Sequence, residues 1–101
     1  MSVSSVLAED RRLVILRVLS EASYQANESV LRKALAAFGH GVGADVVRGD
    51  IQFLVDHGLA RIEVLHPPSG ADLWLCHLTA AGDEVANGRV HPGIARRGPP
   101  E

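Results

Sequence analysis

Apolar residues between positions 6 and 19 recur at the three- and four-residue spacing of an amphipathic helix. Charged residues fill the remaining positions, so the pattern predicts a first helix over residues 6–19. Ser4 or Ser5 is placed to cap its N-terminus. Leu13 and Leu16 widen the apolar surface beyond one stripe, which predicts contact with several neighbouring helices or with a second subunit.

Two further helical patterns follow, separated by a glycine-rich turn. Asn27 is placed to cap the second helix, whose predicted buried stripe consists of Val30, Leu31, Ala34, Leu35 and Phe38. Gly39 stands where a helix commonly ends in the left-handed conformation, and residues 39–43 contain too much glycine to remain helical. A third helix is predicted from Ala44 to about His57, with an inner side formed by Val47, Ile51, Leu54 and Val55.

After Gly58 the pattern alternates, as is typical of strands. Residues 59–66 and 72–78 are predicted to pair as a hairpin, because Pro67-Pro68-Ser69-Gly70 between them cannot lie inside a sheet. Since side chains alternate between the faces of a strand, we expect the second strand to direct inward Cys76 and Leu78, with Trp74 nearer the hairpin tip.

Thr79 is placed to cap a last helix that runs from Ala80 to about Asn87 and packs against the first. Beyond Gly88, residues 89–101 mix proline, glycine and arginine without a period, which predicts a flexible C-terminal tail. With 101 residues in all, the chain has room for one modest core, so we expect a single domain over residues 1–88.

Composition excludes several classes of protein. The 47% hydrophobic and 22% charged residues are typical of a folded protein in water. The single cysteine, Cys76, provides neither a disulfide framework nor a cysteine-based zinc site within one chain, which fits a reducing cytoplasm. No signal-like N-terminus and no apolar run of about 18 residues is present, so we expect no membrane association.

Metal and catalytic chemistry find little support in the sequence. The five histidines show neither His-x3-His nor His-Glu-x-x-His spacing. One alternative is a metal site in which His66 and His77 approach each other across the hairpin, beside Cys76. No nucleophile elbow, phosphate loop or pair of catalytic carboxylates stands out. We therefore expect no metal, no cofactor and no enzymatic activity, with Cys76 as a small buried hydrophobic residue.

The third helix ending in His57-Gly58-Leu59, followed by a hairpin that closes on Leu78-Thr79-Ala80-Ala81-Gly82, resembles the winged-helix proteins of the ArsR, MarR and PadR type. Residues 5–88 also look like small winged-helix proteins of Mu-like bacteriophages and prophages. The resemblance implies a mainly helical α+β fold: a winged helix-turn-helix with three helices, a β-hairpin wing and a C-terminal helix. It further implies a DNA-binding transcriptional regulator in the cytoplasm of a bacterial host.

In such a fold the third helix enters the major groove of double-stranded DNA. With Val47, Ile51 and Leu54 facing inward, we expect its outward side to present Ala44, Asp45, Arg48 and Gln52. Arginine suits guanine and glutamine suits adenine, so Arg48 and Gln52 are the candidate base readers. Further candidate contacts, to phosphates or bases, are His40 in the turn and, on the second helix, Arg32 and Lys33.

Charge weighs against this interpretation. Residues 39–58 contain one arginine and three aspartates, and the whole chain has a net charge of -2. Arg48 can instead pair with Asp45 or Gln52. In favour of DNA binding, the tail offers the positive charge of Arg89, Arg96 and Arg97. The alternative function is a non-enzymatic adaptor that binds a protein rather than DNA. In either case a homodimer through the first and last helices is possible.

Overall fold

Four helices and a three-stranded antiparallel sheet make up residues 2–96, the part of the chain that the computed structural model describes. The α+β class, with about half of the chain helical, is confirmed. None of the helices within this range is long and apolar enough to cross a membrane. The elements in chain order are α1 (Val3–Glu21), β1 (Gln25–Asn27), α2 (Glu28–Ala37), α3 (Ala44–Asp56), β2 (Ala60–Leu65), β3 (Leu73–Leu78) and α4 (Ala80–Ala86).

The hairpin strands β2 and β3 pair as predicted, and a third strand joins them. The sheet order is β1-β3-β2, with Cys76 at the centre, opposite Ala26 on one side and Ile62 on the other. Cys76 is fully buried, so the sheet packs its inner face against the helices. The sequence pattern did not predict β1, because three residues are too few to alternate and the strand exists only by pairing with β3.

Most helix ends lie where the capping residues predicted them. Asn27 Oδ1 accepts a hydrogen bond from Val30 N at 2.9 Å, and Gly39 follows α2 with φ of 92°. The first helix is longer than predicted, however, and Ser2 rather than Ser4 or Ser5 caps it. Local rules thus located the caps of α2 and α4 but not the start of α1.

The core lies between the inner sides of the helices and the sheet. Among its fully buried side chains are Ile15, Leu16, Leu19, Leu31, Leu35, Ile51 and Leu54. Two residues of the predicted α2 stripe were wrongly assigned to the core, since Val30 is 46% exposed and Phe38 is 66% exposed. Phe38 is the C-cap of α2, and its side chain lies on the surface beside α1 instead of in the core.

The Leu-Thr-x-x-Gly sequence has a packing role in this fold. Thr79 Oγ1 accepts a hydrogen bond from Gly82 N at 3.0 Å and donates one to Gly58 O at 2.8 Å. Thr79 N also donates to Leu59 O at 3.2 Å. A Cβ on Gly82 would overlap the Leu59 carbonyl, so glycine is required where α4 crosses the start of the hairpin.

The chain beyond α4 does not leave the domain at residue 88. Ile94 is 4% exposed, Ala95 N donates to Glu9 O at 3.1 Å, and Arg12 Nη1 donates to Gly93 O at 3.0 Å. The predicted flexible tail therefore has its first part, residues 89–96, packed against α1. The apolar side chain of Ile94 explains the difference, because it enters the core. The rest of that predicted tail, including Arg97, lies outside the described residues.

Candidate functional site

The outward side of α3 is where the predicted contact residues were expected. Val47, Asp50, Ile51 and Leu54 are buried, and the exposed residues of the helix form one stripe of Ala44, Asp45, Gly49, Gln52 and Asp56. Arg48, the helix's only cation, lies between the two sides and is partly buried. We call the five exposed residues the outer stripe of α3.

Arg48 is held by a carboxylate of α2. Its Nε donates to Glu28 Oε1 and its Nη2 donates to Glu28 Oε2, both at 2.8 Å. Nη2 also donates to Asp72 O at 3.1 Å, and the guanidinium lies 4.5 Å from the centre of the Trp74 ring. The expected pairing with Asp45 or Gln52 was wrong, because Glu28 accepts from both Nε and Nη2 of the guanidinium, and the single amide oxygen of Gln52 cannot form such a two-pronged contact.

Glu28 lies at the centre of this arrangement. Its carboxylate also accepts a hydrogen bond from Trp74 N at 2.6 Å, so a single buried side chain joins α2, α3 and β3. The hydrogen bond from Arg48 holds the pKa of Glu28 below its usual value, against the opposing effect of burial. The same bond raises the pKa of Arg48. We call Glu28, Arg48 and Trp74 the Glu28 latch.

Two other candidate residues also have partners. Gln52 Nε2 donates to Asp56 Oδ1 at 2.8 Å, one helical turn further along the exposed side of α3. His40 Nε2 lies 2.6 Å from Asp10 Oδ2 on α1, and its side chain is only 10% exposed. The solvated i,i+4 pair of Gln52 and Asp56 contributes about 0.2–0.5 kcal/mol, so Gln52 can change partner readily. His40, in contrast, is buried against α1.

The remaining candidates, Arg32 and Lys33, line a concave surface between α2 and α3. Its volume is about 620 Å³, and it is bounded by Ser29, Arg32, Lys33, Ala36, Gly41, Val42 and Gly43. The N-terminus of α3 opens onto it, since Gly43 is the N-cap and provides no side-chain hydrogen bond. We call this surface the α2–α3 groove. It joins two exposed cations to a helix end that carries partial positive charge.

The hairpin side chains pair locally. His66 Nδ1 lies 2.8 Å from Asp72 Oδ1, and His77 Nε2 lies 3.0 Å from Glu63 Oε1. Burial raises the pKa of the Cys76 thiol to about 11, which keeps it protonated and unreactive. Within residues 2–96 no group of three His, Cys, Asp or Glu side chains is close enough to hold a metal ion.

Sequence reasoning overlooked Glu28 and Trp74 as partners of Arg48. Glu28 reads as an ordinary acidic residue in the first turn of α2, where it complements the helix dipole. Trp74 lies 26 residues beyond Arg48, and no spacing rule links a helix to a hairpin at that distance. Their meeting depends on how the hairpin folds over α2 and α3.

Comparison with known proteins points to bacteriophages. The chain is 41% identical over 95 residues, covering 94% of each protein, to "Uncharacterized protein gp26" of Escherichia phage Mu. It is 46% identical over 65 residues, 64% of each protein, to an "Uncharacterized protein" of Haemophilus influenzae (strain ATCC 51907 / DSM 11121 / KW20 / Rd). No protein-family model and no solved structure matches the chain. With this identity along nearly the full length of both proteins, the chain belongs to the family of phage Mu gp26.

Proposed function

We propose that this protein is a winged helix-turn-helix that binds double-stranded DNA through the α2–α3 groove and regulates transcription of a phage or prophage. In this proposal it acts in the cytoplasm of the bacterial host, without a metal, a cofactor or a catalytic step. The observation that carries the proposal is the α2–α3 groove, with its two exposed cations beside an uncapped helix N-terminus.

The order of the elements supports the fold assignment. Two helices joined by a short turn precede a hairpin, and the added strand β1 pairs with β3 at the base of that hairpin. The same order is what the winged-helix resemblance implies, with β2 and β3 as the wing. The family link to a phage Mu protein supports the phage setting.

The groove favours phosphate over other ligands. Arg32 and Lys33 provide full positive charges, and Gly43, the N-cap of α3, lines the same groove. Phosphate oxygens are favoured at such helix ends, because free N–H groups and the helix dipole both attract negative charge. Contacts of this kind position a protein on DNA without reading its sequence.

We assign the recognition of DNA bases first to Gln52, which lies on the outer stripe of α3 and has only one solvated hydrogen bond to lose. Arg48 can reach a guanine only by leaving Glu28, so we assign it a secondary reading role. Ala44 and Asp45 flank the groove, where Asp45 repels phosphate and limits the affinity.

Selection from a random duplex pool, followed by a salt titration of the enriched sequence, tests the proposal. We expect enrichment of one sequence and a steep fall in affinity with salt. The double variant Arg32→Ala/Lys33→Ala removes two phosphate contacts, so it should lower affinity for every sequence and reduce the slope of log K against log salt by about two.

Arg89→Ala is the matched control: the structure pairs this exposed tail arginine with Glu84 of α4, outside the groove, so the proposal gives it no phosphate contact. It should leave the salt slope unchanged. Absence of any enriched sequence together with absence of binding at low salt would show that the protein does not bind DNA.

The outer stripe of α3 favours a second candidate function, a protein-interaction adaptor. Its charged members, Asp45 and Asp56, are both acidic, and the helix's one cation is already neutralised by Glu28. A surface of this kind suits a basic protein better than a phosphate backbone. Under this alternative no DNA is selected, the Arg32→Ala/Lys33→Ala variant retains its partner, and Asp45→Lys/Asp56→Lys loses it.

A further inference from the structure

We propose that two copies of the chain associate through the exposed side of α1, across a two-fold axis beside Val14. The positions involved alternate at spacings of four and three residues, which keeps them on one side of a helix. We call this set the α1 stripe: Val3, Leu7, Asp10, Val14, Arg17 and Glu21.

The first observation is that the outer side of α1 exposes apolar residues among its charged ones. Its inner side is buried in the core through Leu13, Leu16 and Leu19. On the outer side Val3 is 75% exposed and Leu7 is 45% exposed. A surface helix normally carries charged and polar residues opposite its core stripe, so the exposed apolar side chains there favour a contact that covers them.

The second observation is that the apolar outer side of α1 continues onto the end of α2. A shallow groove of about 80 Å³ lies between the two helices and is bounded by Val14, Arg17, Val18, Glu21 and Phe38. The aromatic ring of Phe38 stands beside this groove and is 66% exposed. Each copy therefore has both a projecting ring and a groove, and in a two-fold contact the ring of one copy can fit the groove of the other.

Charge on the α1 stripe identifies the occupant as a second copy. Asp10 and Arg17 lie on either side of Val14, four residues before it and three after it. In an antiparallel pair with the axis between residues 13 and 14, Asp10 of each copy meets Arg17 of the other. Two reciprocal ion pairs then flank a centre formed by Val14, a pattern that only a two-fold partner repeats.

Both charges are available for this contact. The Asp10 side chain is 51% exposed, and Oδ2 alone is engaged by His40. Arg17 is exposed and makes no ion pair with any residue in the range 2–96. An anionic membrane surface would suit this stripe less well, since Asp10 and Glu21 are among its charges.

In this proposal α1 and the end of α2 make the contact across the axis, and α4 does not. α4 lies against α1 of its own chain, where Val85 and Ala86 are buried and Ser20 Oγ donates to Asp83 Oδ1 at 2.8 Å. Its exposed residues are small or polar. The expected dimer through the first and last helices is thereby narrowed to α1 and the end of α2.

A charge-swap series followed by light scattering and sedimentation tests the interface. The unmodified protein should have twice the 10.8 kDa mass of one chain. Asp10→Arg and Arg17→Asp each place like charges together, and each should shift the mass toward that of one chain. The double variant Asp10→Arg/Arg17→Asp restores opposite charges across the axis and should recover the mass of two chains.

The double variant also lacks the contact between Asp10 and His40, so recovery can come only from the new pairs. Circular dichroism melting of each variant checks that the fold is kept. A wild-type mass of one chain, or single variants that remain dimeric, would overturn the proposal. The measurement contains no DNA, so a dimer that binds no DNA defeats only the proposed function, and a monomer that binds DNA defeats only the dimer.

Discussion

Two clusters of arginine and carboxylate hold α3 in place, one on its inner side and one at its edge. On the inner side Asp50 is 3% exposed, and Arg11 Nε reaches its Oδ2 at 2.6 Å while Arg12 Nε lies 3.5 Å from its Oδ1. At the edge, the Glu28 latch leaves the Arg48 side chain 38% exposed. Both clusters pair arginine with a carboxylate, but the arginine of the second is the more exposed: 38% for the Arg48 side chain against 14% for Arg11 and 20% for Arg12.

The difference separates structural charge from functional charge. Arg12 also stacks on Phe53, with its guanidinium 3.8 Å from the ring centre, so the inner cluster is enclosed by α1, α3 and the chain after α4. The carboxylate of Asp50 is thereby shielded from ligands. The Glu28 latch borders the surface, where a phosphate or a base can compete for Arg48. The inner cluster therefore defines the fold, and the latch can exchange partners.

Removing the inner carboxylate should have the largest effect. Asp50→Asn keeps the size of the side chain but leaves two arginines without a compensating charge. We expect a loss of about 3 kcal/mol in the free energy of unfolding, because breaking one partner of a buried ion pair leaves an unpaired charge inside the protein. Urea denaturation measures it.

Asp56→Asn is the control, since it makes the same chemical change on the exposed side of the same helix and keeps the oxygen that accepts from Gln52. It should change the free energy of unfolding by less than about 0.5 kcal/mol. Equal effects from the two variants would show that Asp50 is solvated in the folded protein and that the contrast between the clusters is false.

Breaking the Glu28 latch should have a smaller effect. In Glu28→Ala the Trp74 N–H loses its acceptor, and an unsatisfied buried donor costs about 1–3 kcal/mol. Glu28→Gln keeps an oxygen that can accept this bond, so it should be closer to the wild type. If the two variants are equally stable in urea denaturation, the bond to Trp74 contributes nothing.

The wild type and Glu28→Gln should also differ in how their stability depends on pH. Because Arg48 holds the pKa of Glu28 below its usual 4.5, the folded state binds its proton less readily than the unfolded chain does. The stabilisation is therefore complete above about pH 4.5 and is lost as the pH falls through the lowered folded-state pKa. The stability difference between the wild type and Glu28→Gln should narrow over that range, and a constant difference would contradict the pKa assignment.

The smallest effect is expected on the outer stripe of α3. Gly49 is exposed in the middle of the helix, and a Cβ there meets nothing within 4 Å. Gly49→Ala should therefore raise the free energy of unfolding by about 0.4–1 kcal/mol, because alanine restricts the unfolded chain.

Gly82→Ala is the opposite case: the Leu59 carbonyl occupies the space, and thermal melting should show a marked loss of stability.

The sequence predicted most of the fold for a local reason. Asn27 and Thr79 cap helices by bonding amides three residues away, and Gly39 adopts the positive φ that follows a helix end. The inner side of α3, from Val47 to Leu54, follows from a spacing of three and four residues. These features depend on neighbours along the chain, so they can be read without the tertiary structure.

The candidate site was predicted only in part. Ala44, Asp45 and Gln52 are exposed as expected, because helical period alone sets the side on which a residue lies, and Arg32 and Lys33 are exposed as well. Arg48 follows the same period, yet its guanidinium is bound to Glu28, 20 residues earlier. His40 is similarly bound to Asp10, 30 residues earlier. The sequence predicts the direction of a side chain but not the partner it meets.

By itself, then, the sequence determined the presence of the four helices and the hairpin, the caps of α2 and α4 and the inner side of α3, since these follow from local spacing and backbone preference. Only the tertiary structure decided that β1 pairs with β3, that Ile94 enters the core and that the one cation of α3 is bound to Glu28. These contacts join segments far apart in the chain, and long-range contacts depend on the packing of the whole domain rather than on any local pattern.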